Sequence, residues 1–150
     1  IKALRGAGLD TQVMGGDVLD TPTIRGLGDV VDGTFHTSGG FPEEGTAYGD
    51  FMKSYEAATG SVPDNNYYVN GCDIAHMIEL AVETAGTTDP SAVRDALANI
   101  ENGEGIMSNF TFKGTDRMPL RPVVIAKINA DGTKEFVKRG TADPEKLPAP

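Results

Sequence analysis

The sequence predicts an α/β fold, on three observations. Residues 65–86, NNYYVNGCDIAHMIELAVETAG, carry the longest unbroken helical periodicity in the chain. Residues 122–139 read as two strands around a tight turn. Segments of helical and strand period follow one another in the order helix, strand, helix, strand, three helices, three strands, which suits neither an all-helical fold nor a sandwich.

The elements follow in order. Ile1–Gly8 reads as the last turns of a helix, with no capping residue ahead of it, so sequence is expected upstream of Ile1. Thr11–Asp17 reads as a short strand ending in a glycine-rich turn. Asp20 or Thr21 caps a short helix with Pro22 in its first position. Val30–Ser38 is a strand, and Gly39-Gly40 a flexible crossing. Glu43–Gly60 carries a helix with the stripe Tyr48, Phe51, Met52 and Tyr55.

In the central helix Tyr67, Gly71, Ile74, Ile78, Ala81 and Ala85 share one face, widened by Tyr68, Cys72, Ala75 and Val82. That face is expected to be buried, with Asp73, His76, Glu79 and Glu83 opposite. Gly86 ends the helix in a left-handed turn. Asp89-Pro90 starts another, striped by Val93, Ala96, Leu97 and Ile100. Asn109–Lys113 alternates as a strand, and Gly114–Leu120 is turn-rich. Strands at Pro122–Ile128 and Lys134–Arg139 flank the turn Asn129–Gly132. The proline-rich tail Asp143–Pro150 extends neither helix nor sheet and reads as a natural C-terminus.

Composition bounds the function. The 150 residues fit one average domain, and 39% hydrophobic with 23% charged residues suffices for a core. A net charge of −9 disfavours nucleic acid and anionic lipid. One cysteine excludes an intrachain disulfide. No apolar run approaches the ~20 residues of a membrane span, and no signal peptide is visible.

No catalytic constellation emerges. Cys72 and His76 share a helical face, but zinc wants three or four ligands and the other histidine, His36, is far away. Without an orienting third group, Cys72 reads better as a buried structural cysteine than as a nucleophile. There is no calcium loop and no phosphate loop, and Gly26-x-Gly28 lacks a dinucleotide frame. No metal or cofactor is expected. Met14-Gly15-Gly16-Asp17 stands at a strand's carboxyl end, where open α/β sheets bind ligands. Asp17 there accepts from an ammonium group or merely caps a turn. Tyr67 and Tyr68, at the start of the central helix, stack on a ligand or pack in a core.

The ordered blocks LRGAGLDTQVMGGD, DTPTIRGLGDVVDGTFHTS, FMKSYEAATGSVPDNNYYVNGCDIAHMIELAVETAG, TTDPSAVRDALANI and NFTFKGTDRMPLRPVVIAKI resemble the C-terminal half of type I periplasmic solute-binding proteins. The leucine/isoleucine/valine-binding proteins of ABC importers are the nearest type, and the likeness runs from Ile1 to about Lys138. It implies two Rossmann-like lobes clamping a small solute, of which this chain supplies about half. Residues 1–37 would belong to the second lobe, 38–120 to the first, and 121–150 to the second again, with hinge crossings near Gly39-Gly40 and Leu120-Arg121.

The resemblance implies an extracytoplasmic receptor for an amino acid of the branched-chain type or a similar solute, not an enzyme. Its partners would be the solute, an importer's membrane permease and the missing N-terminal half, on the same or a separate chain. The alternative is a ligand-sensing domain of a regulator or receptor. By resemblance Asp17 accepts the ligand's ammonium, where many members have Glu, Gly16 lets the ligand approach, and Tyr67 with its neighbour Tyr68 covers it. Members often have Tyr where this chain has Cys72.

Overall fold

The computed structural model describes residues 1–115 and 118–141. The expected tail Asp143–Pro150 lies outside them, as do two residues of the Gly114–Leu120 loop. The elements are α1 (Lys2–Gly6), β1 (Met14–Gly15), α2 (Pro22–Arg25), β2 (Thr34–Ser38), α3 (Ala47–Thr59), α4 (Tyr67–Ala85), α5 (Pro90–Ala98), β3 (Pro122–Ile128) and β4 (Lys134–Thr141). Single 3₁₀ turns cover Asp17–Leu19 and Gly28–Val30.

One mixed, four-stranded sheet has the order β1-β2-β3-β4. β1 pairs parallel with β2, and the other pairs are antiparallel. β2 and β3 meet in the register Thr34–Ile128, His36–Ala126 and Ser38–Val124. All six of these side chains are buried on the same sheet face. One strand thus presents three polar residues to an interior that its neighbour fills with apolar ones. Of the two candidate caps for α2 the structure selects Thr21, and Asp89 caps α5 as expected. Thr21 accepts from the Ile24 amide at 3.4 Å and Asp89 from the Ala92 amide at 3.0 Å. Gly60 and Gly86 close α3 and α4 at φ of 77° and 64°.

The helices α3–α5 and the loop after them form a second unit with two apolar clusters. Met77 and Ala81 of α4 pack with Ile100 and Phe110, while Tyr48 and Val69 pack with Met107. The alternation at Asn109–Lys113 does not yield a sheet strand. Phe110 and Phe112 meet edge-on at 5.9 Å beside the α4–α5 pair, and the segment keeps only the isolated bridges Gly103–Phe110 and Thr111–Leu120. Period two here records which side chains face the helices, not a ladder.

The face of α4 is the principal correction. Tyr67, Ile74 and Ile78, expected inside, are 47%, 58% and 52% exposed. The inward face keeps Ala81 of the expected set but otherwise carries Val69, Asp73 and Met77, with Asp73 1% exposed. α4 has two faces able to pack, and a count of apolar residues selects the wrong one for this chain. Asp73 lies inside because both of its carboxylate oxygens are engaged by donors.

The crossing Gly39-Gly40 is glycine for space. A Cβ on Gly40 would stand 2.5 Å from Met107 Cγ and 2.6 Å from the Met107 carbonyl oxygen. One on Gly39 would crowd only the Met107 side chain, its sulfur at 2.7 Å, and no backbone atom. Gly40→Ala therefore costs about 1–3 kcal/mol in chemical denaturation, and Gly39→Ala under about 1 kcal/mol. Equal losses would refute this account.

Candidate functional site

The sheet unit supplies Gly16 and Asp17, and the helical unit supplies Tyr67 and Tyr68. β1 ends at Gly15, Gly16 is extended at φ −78° and ψ −176°, and Asp17 opens the 3₁₀ turn. A Cβ on Gly16 would meet nothing within 4 Å, so the backbone there is open to approach. The Asp17 side chain is partly shielded and has no hydrogen bond or ion pair among the described residues. Among the described residues it makes no capping hydrogen bond to its turn.

Tyr67 is the first residue of α4, and its amide donates to Asn65 Oδ1 at 2.9 Å. Its ring is 47% exposed. Tyr68 is engaged elsewhere: its ring lies edge-on to Tyr55 at 5.3 Å. Burial first, and then the neighbouring Tyr68, raise the Tyr55 hydroxyl's pKa. Tyr68 thus has a packing role to which Tyr67 shows no counterpart.

Cys72 is exposed, which corrects the expectation of a buried structural cysteine. It lies off the inward face of α4 formed by Val69, Asp73, Met77 and Ala81. His76 is exposed as expected and pairs with Glu79 at 3.5 Å. No group of three His, Cys, Asp or Glu side chains suited to a metal ion occurs among the described residues. Two open cavities, about 510 and 440 Å³, lie on the helical unit. One runs between α4 and α5 past His76 and Glu104, the other past Pro42 and Met52, and neither touches Asp17 or Tyr67.

The best-built polar cluster lies where the units join, and the sequence reading missed it. Asp73 Oδ1 accepts from the Ile106 amide at 2.6 Å, and both its oxygens lie 3.4 Å from the Met107 amide. Arg121 Nη2 donates to Asp73 Oδ2 at 2.6 Å, and Arg121 Nε to Ser108 Oγ at 3.2 Å. One carboxylate thus ties α4 to the loop that packs on Gly40 and to the residue that enters β3. The available signal was spacing: Asp73 stands four residues from both Val69 and Met77, in the middle of an apolar stripe.

A second buried carboxylate, Asp20, belongs to the sheet unit. Lys134 Nζ donates to its Oδ2 at 2.7 Å, and Arg25 Nε is 3.4 Å from its Oδ1. Tyr48 lies in the field of both carboxylates. Burial first, then Asp20 and Asp73, push its hydroxyl up to about 12, so it is protonated at neutral pH.

Comparison with solved structures bears on the fold. The chain is similar to a leucine-binding protein from Thermotoga maritima, with TM-score 0.79, 20% identity, and coverage of 97% of this chain and 41% of that one. It is similar to a leucine-, isoleucine-, valine-, threonine- and alanine-binding protein from Brucella ovis in a closed conformation, with TM-score 0.75, 24% identity, and coverage of 95% and 41%. A solute-binding protein of an ABC transporter from R. palustris, in complex with benzoate, gives TM-score 0.74, 18% identity, and coverage of 97% and 41%. The chain therefore spans 41% of the length of each of these three proteins, and its fold is part of the type I periplasmic-binding fold. A comparison with curated proteins gives no match. The sequence profile described as periplasmic binding protein matches residues 1–133, and the chain belongs to that family.

Proposed function

We propose that this chain is the C-terminal part of an extracytoplasmic receptor that binds an amino acid of the branched-chain type and delivers it to the permease of an ABC importer. The reading is one of binding without catalysis. The observation that carries it is the Asp17 carboxylate, unengaged by described residues just beyond the carboxyl end of β1. That is where an open α/β sheet receives a ligand. The carboxylate accepts the ligand's ammonium, open Gly16 admits it, and Tyr67 covers it from the other lobe. Its neighbour Tyr68, packed edge-on against Tyr55, borders the same helix end. On this reading residues 1–37 and 121–150 belong to one lobe and 38–120 to the other, with the hinge at Gly39-Gly40 and Leu120-Arg121.

The remaining part of the same fold, on this chain or a separate one, is the further partner. It covers the outer face of α4 and continues the sheet from the open edge of β1, where Met14 is 58% exposed.

A relative that holds benzoate, a solute with no ammonium, sets up the test. A charge-assisted bond is worth about 1.5–3 kcal/mol, so Asp17→Asn weakens leucine binding by the complete protein about ten- to a hundredfold in calorimetric titration. Leucine affinity equal to wild type would sink the ammonium assignment. So would benzoate binding with no leucine binding, because an anionic carboxylate beside Asp17 is repelled.

A further inference from the structure

One guanidinium joins the sheet unit to the turn that leads into α4. Arg25 is the last residue of α2, and its Nη2 donates to the Asp64 carbonyl at 2.5 Å. Its Nε faces Asp20 Oδ1 at 3.4 Å, in ion-pair range without a hydrogen bond. Asp20 is 1% exposed, and Lys134 holds its other oxygen. The β3–β4 turn closes on the Arg25 backbone, for a Cβ on Gly132 would stand 3.2 Å from the Arg25 carbonyl oxygen. Arg25 is thus held within its own unit by a buried carboxylate and a hairpin turn, while its outer nitrogen reaches across.

The turn it reaches is docked at a second point. Asn66 is 2% exposed, and its Nδ2 donates to Ser38 Oγ at 3.3 Å. Ser38 Oγ in turn donates to the Gly40 carbonyl at 2.8 Å. The Asn66 contact lies at the crossing, where little relative motion occurs. The Arg25 contact is made two residues earlier in the same turn, to a partner on α2 and not at the crossing. Its acceptor is a neutral carbonyl, which water can replace when the units part. The Asp20 pair lies wholly within the sheet unit.

We propose that Arg25 is a positioning residue that latches the Asp64 turn, and with it the Tyr67 end of α4, onto the sheet unit, favouring the closed arrangement. The proposal rests on the reading of two lobes closing over a solute. Arginine is required because Nε and Nη2 project from one rigid plane, so one group faces the Asp20 carboxylate and donates to Asp64 at the same time. A lysine ammonium has no such fork.

The test uses the complete protein in a cysteine-free background, with nitroxide labels at Ser54→Cys on α3 and Lys138→Cys on β4, both exposed positions. Electron–electron distance measurement without ligand is expected to show a longer-distance population in Arg25→Gln than in Arg25. Arg25→Lys is expected to behave as Arg25→Gln does. Leucine affinity is expected to fall roughly five- to tenfold in both variants. Ligand-free distance distributions identical to wild type in both variants would overturn the latch, as would a lowered melting temperature with distances unchanged. The ligand-free measurement needs no solute. A protein that binds no amino acid would therefore refute the receptor reading while leaving the latch to be decided by the distances alone.

Discussion

Asp73→Ala is expected to lower the unfolding free energy of the complete protein by about 3–5 kcal/mol, the usual cost of removing one partner from a buried ion pair. The Asp73 side chain is 1% exposed and that of Arg121 19%, so the guanidinium left behind is shielded and unpaired. The amides of Ile106 and Met107 lose their acceptor in the same step. Asp73→Asn keeps an acceptor oxygen but not the charge, and is expected to lose less than the alanine variant. Arg121→Ala is expected to cost less as well, because the carboxylate it leaves is still solvated by two backbone N–H groups. The double variant separates the contributions: its loss should fall short of the sum of the single losses by at least about 1 kcal/mol. Urea denaturation monitored by circular dichroism gives these values. A loss under about 1 kcal/mol for Asp73→Ala would show that the cluster is wet and marginal. Hydrogen exchange adds a local check, since the Ile106 amide should lose protection first.

Ile78→Glu on the outer face of α4 is expected to destabilise the complete protein by about 4 kcal/mol or more. In the structure Ile74 and Ile78 are 58% and 52% exposed, and a carboxylate on such a surface costs within about 0.5 kcal/mol. The large effect arises only if the rest of the fold covers this face. The isoleucine then loses roughly 1.5–3 kcal/mol of burial, and an unpaired charge is added to an apolar interface. Chain coverage of 41% of related proteins indicates that the material to cover it exists in such proteins. Ile74→Glu should act in the same direction. Thermal denaturation of the complete protein decides the matter. A melting temperature within a degree or two of wild type in both variants would show that this face is solvated.

The two variants probe opposite sides of one helix, and α4 shows how far the sequence could be read. Its periodicity, its start beside Tyr67 and its end at Gly86 are local properties. They follow from side-chain spacing and from a backbone conformation that glycine adopts freely. So do the caps at Thr21 and Asp89, the helix at Ala47–Thr59, the hairpin around Asn129–Gly132, and the place of Asp17 just past a short strand. The resemblance carried by the five ordered blocks gave the α/β fold and the family, because it draws on the order of elements along the chain.

What only the tertiary structure decided is which surfaces meet. Asp73 looked like a solvated charge because its acceptors' partners, Ile106, Met107 and Arg121, lie 33, 34 and 48 residues away. Nothing local announces that one carboxylate will collect donors from so far. Cys72 looked buried because it flanks an apolar stripe, yet this chain packs α4 by the other face. The alternation at Asn109–Lys113 looked like a strand because period two reports only which side is covered. A ladder needs a neighbour along its whole length, and here there are only isolated bridges at Phe110 and Thr111. Arg25 and Asp64, 39 residues apart, carry no pattern that pairs them. Spacing within one turn of helix or one strand fixes local geometry, whereas burial of a charge depends on long-range donors and on which of two apolar faces finds a partner.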